Sequence, residues 1–122
     1  MDFDIMLEPE ILEWCEKYGS ITTFTFMIYG QLPEDQVDLL GKGVRLHLLA
    51  EGEQPPMMVF MRDVEEEEAR RLGCFRGINL SIIVAESRQD LETVIVEVIT
   101  DCLRYLRLKN EYLGVREATS HV

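Results

Sequence analysis

Histidine and tryptophan are scarce in this chain, and its cations are few: 122 residues include 2 His, 1 Trp and 12 Lys+Arg against 23 Asp+Glu. The cation deficit argues against a surface that tracks nucleic acid, since each phosphate contact needs a positive charge. Neither CxxC, HxxxH nor HExxH occurs, and His47 and His121 lie far apart, so no metal centre and no cofactor are expected. The 3 cysteines, Cys15, Cys74 and Cys102, are too few, too separated and of the wrong parity for a disulfide framework. Apolar runs are short and interrupted by charge, which leaves no candidate bilayer span and no membrane partner. The opening Met1-Asp2-Phe3-Asp4-Ile5 carries no basic segment, so no secretory leader is expected and the expected location is cytoplasmic. Without a leader, the glycosylation-like triplet Asn79-Leu80-Ser81 has no meaning.

The motifs of catalysis are also missing. No GxSxG elbow is present. Gly41-Lys42-Gly43 has neither the spacing nor the hydroxyl of a phosphate loop. Cys74 follows an expected helix end instead of opening a helix, where the dipole would activate a thiol. The run Glu65-Glu66-Glu67-Glu68 cannot all be buried on one short helix, as a general acid with a raised pKa would require. No enzyme is expected.

A globular composition remains, 47% hydrophobic and 29% charged, with a net charge of −11. Residues 1–70 hold 16 acids and 5 bases, whereas residues 71–122 hold 7 of each, so the excess lies in the first part of the chain. Leu7 to Tyr18 reads as a helix with Pro9 in its first turn, Gly19 beyond its end, and a stripe of Ile11, Leu12, Trp14, Cys15 and Tyr18. Ile21 to Tyr29 is a strand with Phe24, Phe26 and Ile28 on one face and Thr23, Thr25, Met27 and Tyr29 on the other. Leu32-Pro33-Glu34-Asp35 opens a short helix to Leu40, which Gly41-Lys42-Gly43 stops. Val44 to Ala50 alternates as a strand, with Arg45 and His47 outward, and Met57 to Met61 is its returning partner. Asp63 caps a helix to Leu72, ended by Gly73 and carrying the pairs Glu66–Arg70 and Glu67–Arg71. Ile78 to Val84 alternates again. Ser87-x-x-Asp90 is a capping box before a helix from Arg88 to Lys109, along which Leu91, Val94, Ile95, Val98, Ile99, Cys102 and Leu106 recur.

Without its flanking helices this order is βαββαβ. The expected fold is therefore α+β, a ferredoxin-like (split βαβ) antiparallel sheet with an extra N-terminal and a long C-terminal helix. Residues 1–113 form the expected single domain and 114–122 a flexible C-terminal tail. Met57 to Met61 is apolar on both faces and needs a cover on the second, from the first helix or from another molecule.

The expected function is that of a small acidic, non-enzymatic binder. An acidic surface of Glu34, Asp35, Asp38, Glu65, Glu66, Glu67 and Glu68 would dock on a basic protein partner, for example a nucleic-acid-binding one. Inhibitors, adaptors and immunity-type proteins of phage or mobile elements work in this way. The rival expectation is a small-molecule-sensing domain, with Thr23, Thr25, Arg45, His47 and Asn79 forming a site at a sheet or dimer junction. A homodimer through the long final helix or the two-sided apolar strand fits either.

Overall fold

The computed structural model describes residues 9–50, 57–85 and 90–121. In chain order its elements are α1 (Pro9–Tyr18), β1 (Ser20–Gln31), α2 (Glu34–Ala50), β2 (Met57–Asp63), α3 (Glu66–Arg71), β3 (Arg76–Val84), α4 (Leu91–Tyr105) and β4 (Lys109–His121). The four strands form one antiparallel-laddered sheet in the order β2-β3-β1-β4. The protein is thus α+β, with four helices on a four-stranded sheet.

Alternation along β1 and β3 decides the two faces. Phe24, Phe26 and Ile28 stand beside Ile82, Leu80 and Ile78 in register. With Val37, Leu40, Val44 and Leu48 of α2 and Leu91, Ile95, Ile99 and Leu103 of α4, they close the main core. The other face carries Thr23, Thr25, Asn79 and Ser81, all buried, with a hydrogen bond of 3.2 Å between the Thr25 and Ser81 hydroxyls. Two small clusters cover its ends. Under α1, Trp14 and Cys15 pack with Ile21, Ile83 and Met58, so the first helix, one of the two expected covers, covers the second face of β2 at Met58. Under α3, Ala69 packs with Tyr29, Cys74, Met27 and Val64.

Several expectations are corrected. Val44 to Ala50 is the second half of α2, not a strand, and Gly41-Lys42-Gly43 lies inside that helix. Val37, Leu40, Val44 and Leu48 form an unbroken buried stripe at helical spacing, and this burial outweighs the roughly 1 kcal/mol that each internal glycine costs. Leu46, which an alternating strand would bury, is 66% exposed. Room is also needed at Gly41: a Cβ there would lie 2.5 Å from the Met61 methyl. From β1 onward the element order is therefore β1-α2-β2-α3-β3-α4-β4, with the fourth strand placed elsewhere in the chain than expected.

That fourth strand is β4. Residues 114–121, the expected tail, continue Lys109 to Leu113 as an edge strand laddered along β1 from Thr22–Thr119 to Ile28–Leu113. Correspondingly, α4 stops at Tyr105, short of Lys109. Arg107 adopts a left-handed φ of 57°, its amide bonds the Arg104 carbonyl and the Leu108 amide bonds that of Leu103, a Schellman turn made without glycine. The same turn at Gly73 ends α3 as expected. Asp63 does not cap α3; it ends β2, and the N-cap position belongs to Glu65, which makes no side-chain cap bond. Asp90 occupies the N-cap of α4, while Ser87 of the expected capping box lies outside the described residues.

Candidate functional site: one end of the sheet

β1 and β2 both finish, and β3 begins, at the same end of the sheet. Three connections therefore meet there. β1 leaves through buried Leu32 and Pro33, whose carbonyl accepts from the Gln36 and Val37 amides and starts α2. β2 passes through Val64 and Glu65 into α3, and α3 returns through Leu72 to Phe75 into β3. Arg76 ties all three: its Nε and Nη2 donate to one Asp63 carboxylate oxygen at 2.9 and 2.5 Å, and its Nη1 donates to the Leu32 carbonyl at 3.2 Å.

Two depressions flank this tie. One, of about 190 Å³, is lined by Glu34, Asp38, Met61, Arg62, Asp63 and Arg76 among others. The second, of about 310 Å³, is lined by Gln31, Leu32, Pro33 and Phe75. Phe75 is 85% exposed and nearby Leu72 51%. Large side chains left this open at a single place are candidates for contact with a partner.

The seven expected acidic residues fall into two rows. Glu34 and Asp35 occupy the first turn of α2, where carboxylates favour the positive helix end, and Asp38 follows one turn later. Glu65 to Glu68 run from the N-cap into α3. Both rows are exposed and both lie at this end, but on opposite faces of the sheet, because α2 joins the main core and α3 the cluster around Tyr29. Glu66 is held by Arg70 at 2.6 Å, one of the two expected helix pairs. Charge from Glu68, after burial, pushes the Tyr29 hydroxyl up. Phe75 was not singled out by sequence reasoning; an aromatic two residues after the expected helix stop at Gly73 was the available signal.

The residues of the expected sensing site do not converge. Thr23, Thr25 and Asn79 are buried on one face of the sheet, whereas Arg45 and His47 ride on α2 over the other. His47 instead meets Cys102 of α4, with Nδ1 and Sγ 3.0 Å apart. The sequence does not announce this pair, because it reads His47 as outward on a strand and Cys102 as core packing on the final helix. Burial, and then the charge of Asp101, push the Cys102 thiol up, and which of the two atoms donates follows the tautomer of the imidazole. Cys74 is raised by burial and by the Glu111 carboxylate, 3.5 Å from its sulfur. Cys15 is raised by burial alone. All three are free, buried thiols. Among the described residues, no group of three or more His, Cys, Asp and Glu side chains could hold a metal ion, and no helix is long and apolar enough to cross a membrane.

No family model matches the sequence, and no curated protein matches it. Twenty-one solved chains match in structure. Among them, the de novo designed protein Foldit4 is 13% identical with a TM-score of 0.47, over 84% of this chain and 97% of its own. A de novo designed protein described as having a ferredoxin fold is 10% identical at 0.44, over 84% and 86%. An amidase of the hydantoinase/carbamoylase family from Burkholderia multivorans is 8% identical at 0.41, over 84% of this chain and 27% of its own. All three likenesses lie below a TM-score of 0.5 and carry no family or activity to this chain.

Proposed function

We propose that this protein is a non-enzymatic binder that docks the Phe75 end of its sheet on a basic protein partner, as an inhibitor or adaptor. The observation that carries the reading is an exposed aromatic beside an apolar depression, at the end of the sheet that also holds exposed carboxylates without ion-pair partners among the described residues, on both faces: Glu34, Asp35, Asp38, Glu65, Glu67 and Glu68. An anchor of this kind supplies affinity where it is desolvated, and the surrounding acids steer and select a cationic surface. A partner that otherwise holds phosphates fits this chemistry, which is how an acidic protein blocks a nucleic-acid-binding surface. Strand order β2-β3-β1-β4, with α2 and α4 on one face, also supports reading the framework as ferredoxin-like, to which α1 and α3 are additions.

The test is affinity capture from the native host at low and high salt, using wild type, Phe75→Ala and a variant with Glu65 to Glu68 changed to Lys. A partner bound by wild type should be lost about 30-fold or more with Phe75→Ala if the ring is a hot spot. The charge reversal should weaken capture and flatten its salt dependence. Binding unchanged by both variants removes this end of the sheet from the function.

A further inference from the structure

On its second face, the α3 end of the sheet finishes in a pair of tyrosines. Tyr29 of β1 and Tyr112 of β4 are register partners, with ring centroids 5.6 Å apart and planes inclined at 58°. Glycines make room for both. A Cβ on Gly77 would lie 2.5 Å from the Tyr29 ring, and one on Gly114 would lie 2.7 Å from the Tyr112 hydroxyl. Cys74 packs with Tyr29 under α3, and its thiol donates to the Glu111 carboxylate at 3.5 Å. Glu111 thus joins the tyrosine pair from β4. Glu68 joins it from α3: burial, and then Glu68, Tyr112 and Cys74, push the Tyr29 hydroxyl up.

This group is incomplete in two respects. Tyr29 is only 3% exposed, yet its hydroxyl makes no hydrogen bond among the described residues, and the oxygen is not sealed from the surface. A polar group so enclosed is ordinarily paired. Glu68 and Glu111 are exposed and form no ion pair among the described residues. Of the chain's own cations at this end, Arg70 is held by Glu66 and Arg76 by Asp63, while Arg71 and Lys109 pair with no described carboxylate. Both acids are therefore left unneutralised beside a phenol oxygen able to accept and the Tyr112 ring, which is 46% exposed. A planar cation with several N–H donors fits all of these at once. Guanidinium stacks on an aromatic face and donates in its own plane to carboxylate and phenol oxygens, whereas an ammonium is a point charge.

We infer that an arginine side chain of the basic partner seats here, against Tyr112, with Glu68 and Glu111 pairing its charge and the Tyr29 hydroxyl accepting from it. The inference rests on the reading that a basic protein docks at this end of the sheet, and it gives the second face an anchor separate from Phe75.

NMR of the Tyr29 and Tyr112 ring resonances during titration with N-acetyl-arginine amide tests it, with the lysine and citrulline analogues alongside. Citrulline keeps the shape of arginine without its charge. Saturable shifts are expected with arginine, weaker binding with lysine and none with citrulline. Glu111→Gln and Tyr29→Phe should each weaken arginine binding about three-fold or more, since each removes one contact and keeps the packing. Thermal melts confirm that both remain folded. Glu97→Gln makes the same charge change on the exposed side of α4 and should leave binding as it is. No saturable shift with arginine, equal shifts with citrulline, or arginine binding untouched by Tyr29→Phe would each overturn the proposal. So would a loss with Glu97→Gln as large as with Glu111→Gln, which would show bulk attraction only. Partner capture separates the two readings. Capture lost with Phe75→Ala and unchanged with Glu111→Gln overturns the arginine site alone. Arginine binding by a wild type that captures nothing supports the site and overturns the partner reading alone.

Discussion

The two faces of the sheet are built on different principles. One is a continuous apolar layer under α2 and α4, in which Phe24, Phe26, Ile28, Leu80 and Ile82 are no more than 1% exposed. The other is apolar only at its ends, where α1 and α3 sit, and between them lies a floor of Thr23, Thr25, Ser81 and Asn79. Both faces are buried, yet burial stabilises them through different terms: area removed from water on the first, hydrogen bonds that offset desolvation on the second. Polar alternation in a strand therefore marks a face without a continuous core, and it does not by itself mark an exposed one.

Mutations on the two faces should separate these terms. Phe26→Ala should destabilise most, by about 3–5 kcal/mol, because nothing in the main core can collapse into the space of a fully buried ring. Ile83→Ala, in the three-residue cluster under α1, should cost about 2 kcal/mol, the low end for this change, since its half-buried neighbours Trp14 and Met58 can relax into the cavity. Urea unfolding of the two variants checks the order; equal losses would mean that the faces are energetically alike. Thr25→Val should cost about 1–2 kcal/mol by leaving the Ser81 hydroxyl without its partner. Combined with Ser81→Ala it should cost less than the two single changes summed, and strict additivity would show the bond to be idle.

Alkaline pH should produce the smallest difference. Cys15 on the second face and Cys102 beside the first both have raised thiol pKa values in the fold. The unfolded chain releases these protons at lower pH than the folded one. Stability from this source is therefore complete below about pH 8.5, where unfolded thiols are protonated, and declines as pH rises beyond it. Melting temperatures of wild type and Cys102→Ala across pH 7 to 10 check the slope, which the variant should reduce.

The elements read correctly in advance were those whose signal is local. β1 and β3 alternate with β-branched and aromatic residues, Gly19 and Gly73 stand where chains must turn left-handed, and the α4 repeat of Leu91, Ile95, Val98, Ile99 and Cys102 is buried at those positions. Where two periods were both satisfied, the local signal failed: Val44, Leu46 and Leu48 fit a strand, while Val37, Leu40, Val44 and Leu48 fit a helix. β4 escaped notice because an edge strand mostly open to solvent on both sides needs no alternation. The acidic residues were identifiable from composition, but Phe75, with which two rows of them share one end of the sheet, was not.

Composition and short-range pattern alone determined the acidic character, the absence of recognisable catalytic and metal motifs, two of the strands and the ends of several helices, because these depend on residue type and on neighbours within a few positions. Packing decided the rest. Whether residues 44–50 coil or extend, and which strand completes the sheet beside β1, depend on what each segment buries against partners tens of residues away. The meeting of His47 with Cys102 and of Arg76 with Asp63 and Leu32 follows from the same long-range choice. Such contacts exist only once the chain has folded, and nothing in the spacing of these residues along it announces them.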